Sequence, residues 1–324
     1  MYLMKSMLLN SFNEKLRMAD LPKPTCNAKE VLIRVLTTSL NFADILMTKG
    51  KYQEKYDLPF SPGMEVCGII TLLGEDSSSF KIGQRVAAYV GFGGLSEFIT
   101  VSENLCFSVP DDISDEKAAS LLIAYGSTEL ALNYKAKLKS DETLLVLGAA
   151  GGVGLSAVQI GKAMGANVVA VARGKEKCKL TQLMGANLTF DSESVNLRRD
   201  LKKLDKIDVI YDPVGGDQFQ VALAAAKPET RILPIGFASG EVPQIPANIV
   251  MVKNITIIGF YIGTYRTLNP NILRDCFQRL LEMWSQNFIN PHISNVFSLE
   301  EANLALDIIE KRKSTGKVVV RVGT

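Results

Sequence analysis

Histidine is nearly absent. The 324-residue sequence has one, His292, and a single tryptophan. A Ser–His–Asp relay needs a histidine beside its nucleophile, and a histidine-rich metal centre needs several. His292 follows Pro291 in N-P-H-I-S, a loop setting, and no role is assigned to it. Cysteine is sparse too. Cys26, Cys67, Cys106, Cys178 and Cys276 are scattered and odd in number, with no C-x-x-C pair, which argues against a disulfide framework and a tetrahedral metal cage. No apolar run approaches the ~20 residues of a spanning helix. The opening M-Y-L-M-K-S-M-L-L-N turns polar too soon for a secretory signal and lacks the Arg/Ser-rich character of a transit peptide. Neither charge sign is in excess: the formal net charge is +2, so neither nucleic acid nor a membrane surface is implied as a partner. G-x-S-x-G and the P-loop pattern are missing as well. These absences lead to the expectation of a cytoplasmic protein. Its length leads to the expectation of two domains.

What is present falls into three stretches. EVLIRVLTTSL (30–40), MEVCGIITLLG (64–74), RVAAYVGF (85–92) and LSEFITV (95–101) are strand-like runs separated by Gly and Pro, as in an antiparallel, barrel-like domain. Near residue 120 the pattern changes. TLLVLGA (143–149), NVVAVA (167–172), IDVIYDPV (207–214), RILPIGF (231–237) and ITIIGFYI (255–262) are continuous apolar runs, the mark of strands buried on both faces. Helical spacing between them, over 153–166 and 176–186, predicts a doubly wound parallel sheet. The tail has two amphipathic helices, 272–286 and 299–313, and a last strand, GKVVVRV (316–322), which is expected to return to the first domain. The predicted division is 1–123 with 263–324 for one domain and 124–262 for a nucleotide-binding insertion.

L-G-A-A-G-G-V-G (147–154) lies between a buried strand and a helix and fits A-x-G-x-x-G at Ala149, Gly151 and Gly154. Gly151 lets the backbone approach a pyrophosphate, Gly154 lets helix and strand pack closely, and the helix N-terminus offers N–H donors. The end of the next strand selects the cofactor. An NAD site carries an acid there to hold the ribose 2′-OH, whereas this chain has A-R-G-K-E-K, with Arg173 in that place and Lys175 and Lys177 beyond. Arg pairs with a 2′-phosphate, so NADPH is the expected cofactor. With triad, metal and P-loop chemistry missing, hydride transfer is the chemistry left.

Several motifs in order resemble the quinone oxidoreductase branch of the medium-chain dehydrogenase/reductase superfamily. They are SLNFADILMTKGKY (39–52), LPFSPGMEVCG (58–68), AYGSTELAL (124–132), the glycine-rich stretch 144–166, YDPVGGD (211–217), RILPIGFASG (231–240) and STGKVVV (314–320). The resemblance implies an α/β protein with a GroES-like, β-barrel-type catalytic domain and a Rossmann domain. It implies that Gly151, Gly152, Val153, Arg173, Gly174 and Lys177 hold the diphosphate and adenosine end. Ser127 would lie near the nicotinamide, and Gly236, Phe237, Phe260, Tyr261 and Ile262 would line the nicotinamide and ribose. Ser192 stands where many relatives have a Tyr that contacts the 2′-phosphate. Asn41 and Tyr52 would face the substrate, with Tyr52 the candidate proton donor. Zinc relatives have Cys where Asn41 stands and G-H-E where Gly63-Met64-Glu65 stands, so the resemblance is to the zinc-free branch.

The implied activity is NADPH-dependent reduction of a quinone. Reduction of α,β-unsaturated ketones, aldehydes or enoyl thioesters is an alternative that the residues leave open. A second is a non-catalytic NADPH-binding structural or RNA-binding protein, which the near-neutral charge disfavours. A homodimer is expected through the apolar segment 255–262 at the edge of the parallel sheet.

Overall fold

The computed structural model describes residues 3–323 of the chain. Seven strands come first: β1 (Leu3–Leu8), β2 (Arg17–Pro22), β3 (Glu30–Leu40), β4 (Glu65–Leu73), β5 (Arg85–Tyr89), β6 (Phe98–Ser102) and β7 (Cys106–Ser108). Six follow: β8 (Thr143–Val146), β9 (Asn167–Ala172), β10 (Leu188–Asp191), β11 (Val209–Asp212), β12 (Arg231–Pro234) and β13 (Thr256–Ile257). The last two are β14 (Ile293–Ser298) and β15 (Lys317–Arg321). The chain divides into two compact units, one of Met1–Ala124, Arg266–Phe277 and Pro291–Thr324, the other of Tyr125–Tyr265 and Gln278–Asn290.

In the first unit the sheet runs β14-β15-β3-β4-β5-β7, with β6 also paired to β3. The long strand β3 makes this possible. Glu30–Arg34 pairs with β6, Thr37–Leu40 pairs with β15, and β4 runs along its other edge. Pairing with β4 slips twice, at Leu32/Ile33 and Val35/Thr37. Such bulges bend and twist a sheet, as the barrel-like expectation requires. Val31, Ile33, Val35, Val66, Ile70 and Val86 form the core beneath it. The last strand joins this sheet antiparallel to β3, as its place after the tail helices suggested.

The second unit is a six-stranded sheet in the order β10-β9-β8-β11-β12-β13, parallel at every pairing. β8 and β11 are buried at every position, which is why they read as unbroken apolar runs. Helices Gly152–Ala163, Gly174–Leu183 and Gly216–Ala225 alternate with the strands, and Leu145, Val169, Ile210, Ile232 and Phe219 share one core. Strand order reverses beside β8, the switch point where ligands bind in such sheets.

Two expectations need correction. The run 255–262 yields a strand only at Thr256–Ile257, and Ile262–Thr264 is a helical turn. Its partner β12 ends in Pro234, which has no N–H to continue the ladder. The sequence pattern sends the whole tail, 263–324, to the first domain, yet Gln278–Asn290 belongs to the second unit. Arg279 donates twice to the fully buried Glu129, at 2.5 and 2.9 Å. The Gln159 side chain bonds the Asn290 backbone in both directions, at 2.7 and 3.0 Å. Among the described residues, no helix is long and apolar enough to cross a membrane.

Candidate active site

Parallel strands all point their carboxyl ends one way, so in the second unit the loops that follow them share one edge. Gly148–Gly154 follows β8, Arg173 to Lys177 follows β9, Ser192 follows β10, Gly236 and Phe237 follow β12, and Phe260 to Ile262 follow β13. Topology thus brings together the second-unit candidates of distant sequence position. From β9 to β13 this edge spans about 19 Å at the usual strand spacing.

The glycine turn is set by packing. A Cβ on Gly154 would lie 2.2 Å from the Gly148 carbonyl oxygen and 2.8 Å from Ala149, so only glycine lets the helix start this close to the strand. Helix Gly152–Ala163 then begins with Gly151 as its N-cap and no side chain capping it. The N–H groups of Gly152, Val153 and Gly154 in its first turn therefore have no helical or capping partner, and they form a backbone cradle for an anion. Behind it, Thr128 Oγ1 meets Ser156 Oγ at 2.6 Å and Tyr211 Oη at 2.8 Å, fastening the segment that carries buried Ser127 to the helix. Asp212 accepts from the N–H groups of Val214 and Gly215, at 2.8 and 3.0 Å, and so shapes the D-P-V-G-G turn against which Phe237 rests. The sequence marked that motif without a role for Asp212.

At the end of β9, Arg173 is exposed and pairs with Glu193 at 3.5 Å. Lys177 is half-buried, and its pKa is lowered first by burial and then by the charge of Arg173. The Gly174 N–H donates to Asp191 at 2.9 Å. Phe260 stacks near Tyr265, ring centroids 6.1 Å apart, and with Tyr261 they line a hollow of about 330 Å³.

In the first unit, N-x-x-D is a clamp. Asp44, fully buried in helix Phe42–Thr48, accepts from the backbone N–H of Asn41 at 2.7 Å and of Gly63 at 2.8 Å. It thereby ties this segment to P-G-M-E. Burial raises its pKa to about 6 despite those two donors. Folding therefore favours its protonated form. Its contribution to stability is fullest below the unfolded pKa near 4 and is lost as pH rises through about 6. Asn41 is held just as firmly. Its amide donates to Ser39 O at 3.3 Å and to Glu65 Oε1 at 3.0 Å, and its Oδ1 accepts from Lys317 Nζ at 2.5 Å. An ammonium only donates, so the amide orientation is determined, and both N–H groups are spent within the protein. Glu65 also accepts from Lys317 at 2.9 Å and from Ile123 N at 2.8 Å. Tyr52 is buried and lies near Tyr89, whose pKa it helps burial to raise. The loop that carries it is pinned by Glu54, which accepts from Arg266 at 3.2 Å and from Tyr56 at 2.5 Å. His292 meets Thr315 at 3.1 Å and supports the loop before β15.

These two units correspond to two known families. Residues 27–111 match the alcohol dehydrogenase GroES-like domain, and residues 152–283 match the zinc-binding dehydrogenase family. The chain is 39% identical over 297 residues to the quinone oxidoreductase-like protein 2 homolog of Nematostella vectensis, covering 90% of this chain and 81% of that protein. It is 37% identical to quinone oxidoreductase-like protein 2 of Bos taurus, covering 92% of this chain and 86% of that one. The chain belongs to the quinone oxidoreductase branch of the medium-chain dehydrogenase/reductase superfamily. Its structure superposes on the quinone oxidoreductase of Thermus thermophilus, solved also in complex with NADPH, with a TM-score of 0.86, 30% identity, and 98% and 100% coverage of the two chains. It is an enzyme of the quinone oxidoreductase-like type, which sets aside the reading as a non-catalytic binding protein.

Within this quinone oxidoreductase fold, the positions that zinc relatives use for metal hold something else. Among the described residues no group of three or more His, Cys, Asp or Glu is disposed to hold a metal. Met64 is buried in the core, and the Lys317 ammonium sits between Asn41 and Glu65. The sequence alone missed Lys317 and Glu65 as partners of Asn41. Lys317 stood in S-T-G-K-V-V-V and Glu65 in G-M-E, without a role for either. With Lys317 and Glu65 at 3% and 0% side-chain exposure, removing one charge strands the other. Lys317→Met should therefore lower unfolding free energy by about 3–5 kcal/mol, read from equilibrium urea denaturation. A loss below about 1 kcal/mol would show that the ammonium is not a structural counter-charge.

Proposed function

We propose that this protein is an NADPH-dependent reductase of quinones that works without zinc. The observation that carries the cofactor reading is Arg173 at the end of β9, with Lys177 in the helix that follows, where an NAD site would place an acid, at the same sheet edge as an uncapped helix N-terminus. The fit to NADPH is favourable. Gly152, Val153 and Gly154 would hold the diphosphate, and Arg173 and Lys177 the 2′-phosphate, with Ser192 at the same end. Ser127, Gly236, Phe237, Phe260, Tyr261 and Ile262 would line the nicotinamide end. The chemistry that NADPH supplies when bound is hydride donation. The protein's part is to hold an acceptor's electron-poor carbon at the nicotinamide and to balance charge on its oxygen. Asn41 has no N–H left to offer, so we assign it to positioning, with Lys317 setting its orientation. Tyr52 is the donor, its phenol giving a proton or a hydrogen bond to the acceptor oxygen. Zinc has no part in this reading, since Asn, Met and a lysine ammonium replace the donors it needs. We further propose a homodimer through the β13 edge of the parallel sheet. Met251 and Val252, in the segment leading to that edge, are 72% and 73% exposed, and an open apolar edge calls for cover.

Three measurements test this. NADPH oxidation should proceed with quinones. Tyr52→Phe should cost on the order of 10²-fold in kcat/KM for an enone, whose enolate needs a donor, and less than about tenfold for a good quinone. Equal large losses for both would end the proton-donor role, and oxidation with enones alone would favour the enone reading. Purified protein should contain no stoichiometric zinc and keep its activity in chelator, whereas one zinc per chain lost together with activity would overturn the zinc-free reading. Sedimentation at micromolar concentration should give a dimer that Val252→Asp weakens. Ile257 is a poorer probe because it packs on the core. A wild-type monomer refutes the dimer.

A further inference from the structure

The 2′-phosphate end of the cofactor edge is not simply basic. Arg173, Lys175 and Lys177 are accompanied by Glu176, Asp191 and Glu193. The acids on the β10 side are held in place. Asp191 Oδ1 accepts from the N–H of Gly174 at 2.9 Å and from the N–H of Glu193 at 3.0 Å, so one carboxylate fixes the start of helix Gly174–Leu183 and the backbone of Glu193 together. Those two N–H donors also hold the Asp191 pKa below its usual value. Glu193, the next charged residue, reaches Arg173 Nε at 3.5 Å. Burial first and the charge of Arg173 second lower the Lys177 pKa, and a bound anion would relieve both. In the free protein the anion on Arg173 is Glu193.

We propose that Glu193 is a tethered competitor for the 2′-phosphate and sets how far this chain discriminates between NADPH and NADH. The proposal rests on the reading that Arg173 receives the 2′-phosphate. The pair is exposed, with side chains 49% and 66% accessible, so it is weak and opens readily. It therefore does not exclude NADPH. The carboxylate nevertheless stays beside a group of up to two negative charges once Arg173 is shared, and it repels that group within the Debye length. For NADH the same carboxylate is harmless or useful, because a ribose 2′-OH donates to an acid at this end of the sheet. In NAD sites that acid ends the second strand. Here it comes from the turn after the neighbouring strand β10, one position over in the sheet. Glu193 thus narrows the preference from both sides, and both cofactors remain usable.

The test is fluorescence titration of the full-length protein with NADPH and with NADH, for wild type, Glu193→Gln, Arg173→Ala and the double variant. Competition by adenosine 2′,5′-bisphosphate and by 5′-AMP isolates the phosphate. Glu193→Gln should tighten NADPH on the order of fivefold, leave NADH unchanged or weaker, and lose most of its effect in ~0.5 M salt. The gain should vanish in the double variant and should appear for the bisphosphate but not for 5′-AMP. If Arg173→Ala weakens NADPH while Glu193→Gln leaves the NADPH/NADH ratio unchanged, the competitor is refuted and the cofactor reading stands. If Arg173→Ala leaves NADPH binding unchanged, the 2′-phosphate is not at Arg173, and the reading fails together with the proposal. Glu193 is exposed and outside the core, so these variants test binding rather than folding.

Discussion

Between the α-carbon of Gly154 and the carbonyl oxygen of Gly148 there is no space for a methyl group. A Cβ would sit 2.2 Å from that oxygen. This close approach sets where helix Gly152–Ala163 starts, and with it the direction of the N–H groups that face the carboxyl edge of the sheet. Leu155, Val158 and Ile160 of the helix are buried, and the hydroxyl cluster of Thr128, Ser156 and Tyr211 links the helix to β11. β9 and β11 pair with β8 directly, β10 and β12 through one neighbour and β13 through two, so the loops that carry Arg173, Ser192, Gly236 and Phe260 share the sheet edge at which this helix starts.

Two charge pairs, one in each unit, are handled in opposite ways. In the first, Lys317 and Glu65 are out of water and every bonding atom has a partner, Asn41 and Ile123 included. Such a network tolerates no ligand exchange, and it gives Asn41 a single orientation. In the second, Arg173 and Glu193 lie in solvent, where a pair forms and breaks at little cost. The first arrangement suits a fixed scaffold. The second suits a surface that exchanges its partners.

Much of the second unit was legible because its signals are local. Strands buried on both faces read as apolar runs, glycine spacing marks a turn, and Arg173 follows its strand directly. The first unit was legible as strands from Glu30 to Ser102. Its hairpin of β1 and β2, the helix at Phe42–Thr48 and the strand Ile293–Ser298 were not read from the sequence. The hairpin and the helix are short or charged stretches without clear alternation, and β14 has no fully buried residue to give it an apolar run. The run 255–262 is largely apolar, yet pairing also needs a donor that Pro234 lacks.

By itself the sequence determined the class of fold, the glycine turn and the cation where an acid would select NAD. Each is a matter of residue identity at short range. Only the tertiary structure decided what those residues do. Lys317 meets Glu65 across 252 residues, Arg266 meets Glu54 across 212, and Glu193 reaches Arg173 because β10 lies beside β9. No periodicity encodes such meetings. They arise when strands distant in the chain are brought into register, and a charge acquires its role from the partner that register supplies.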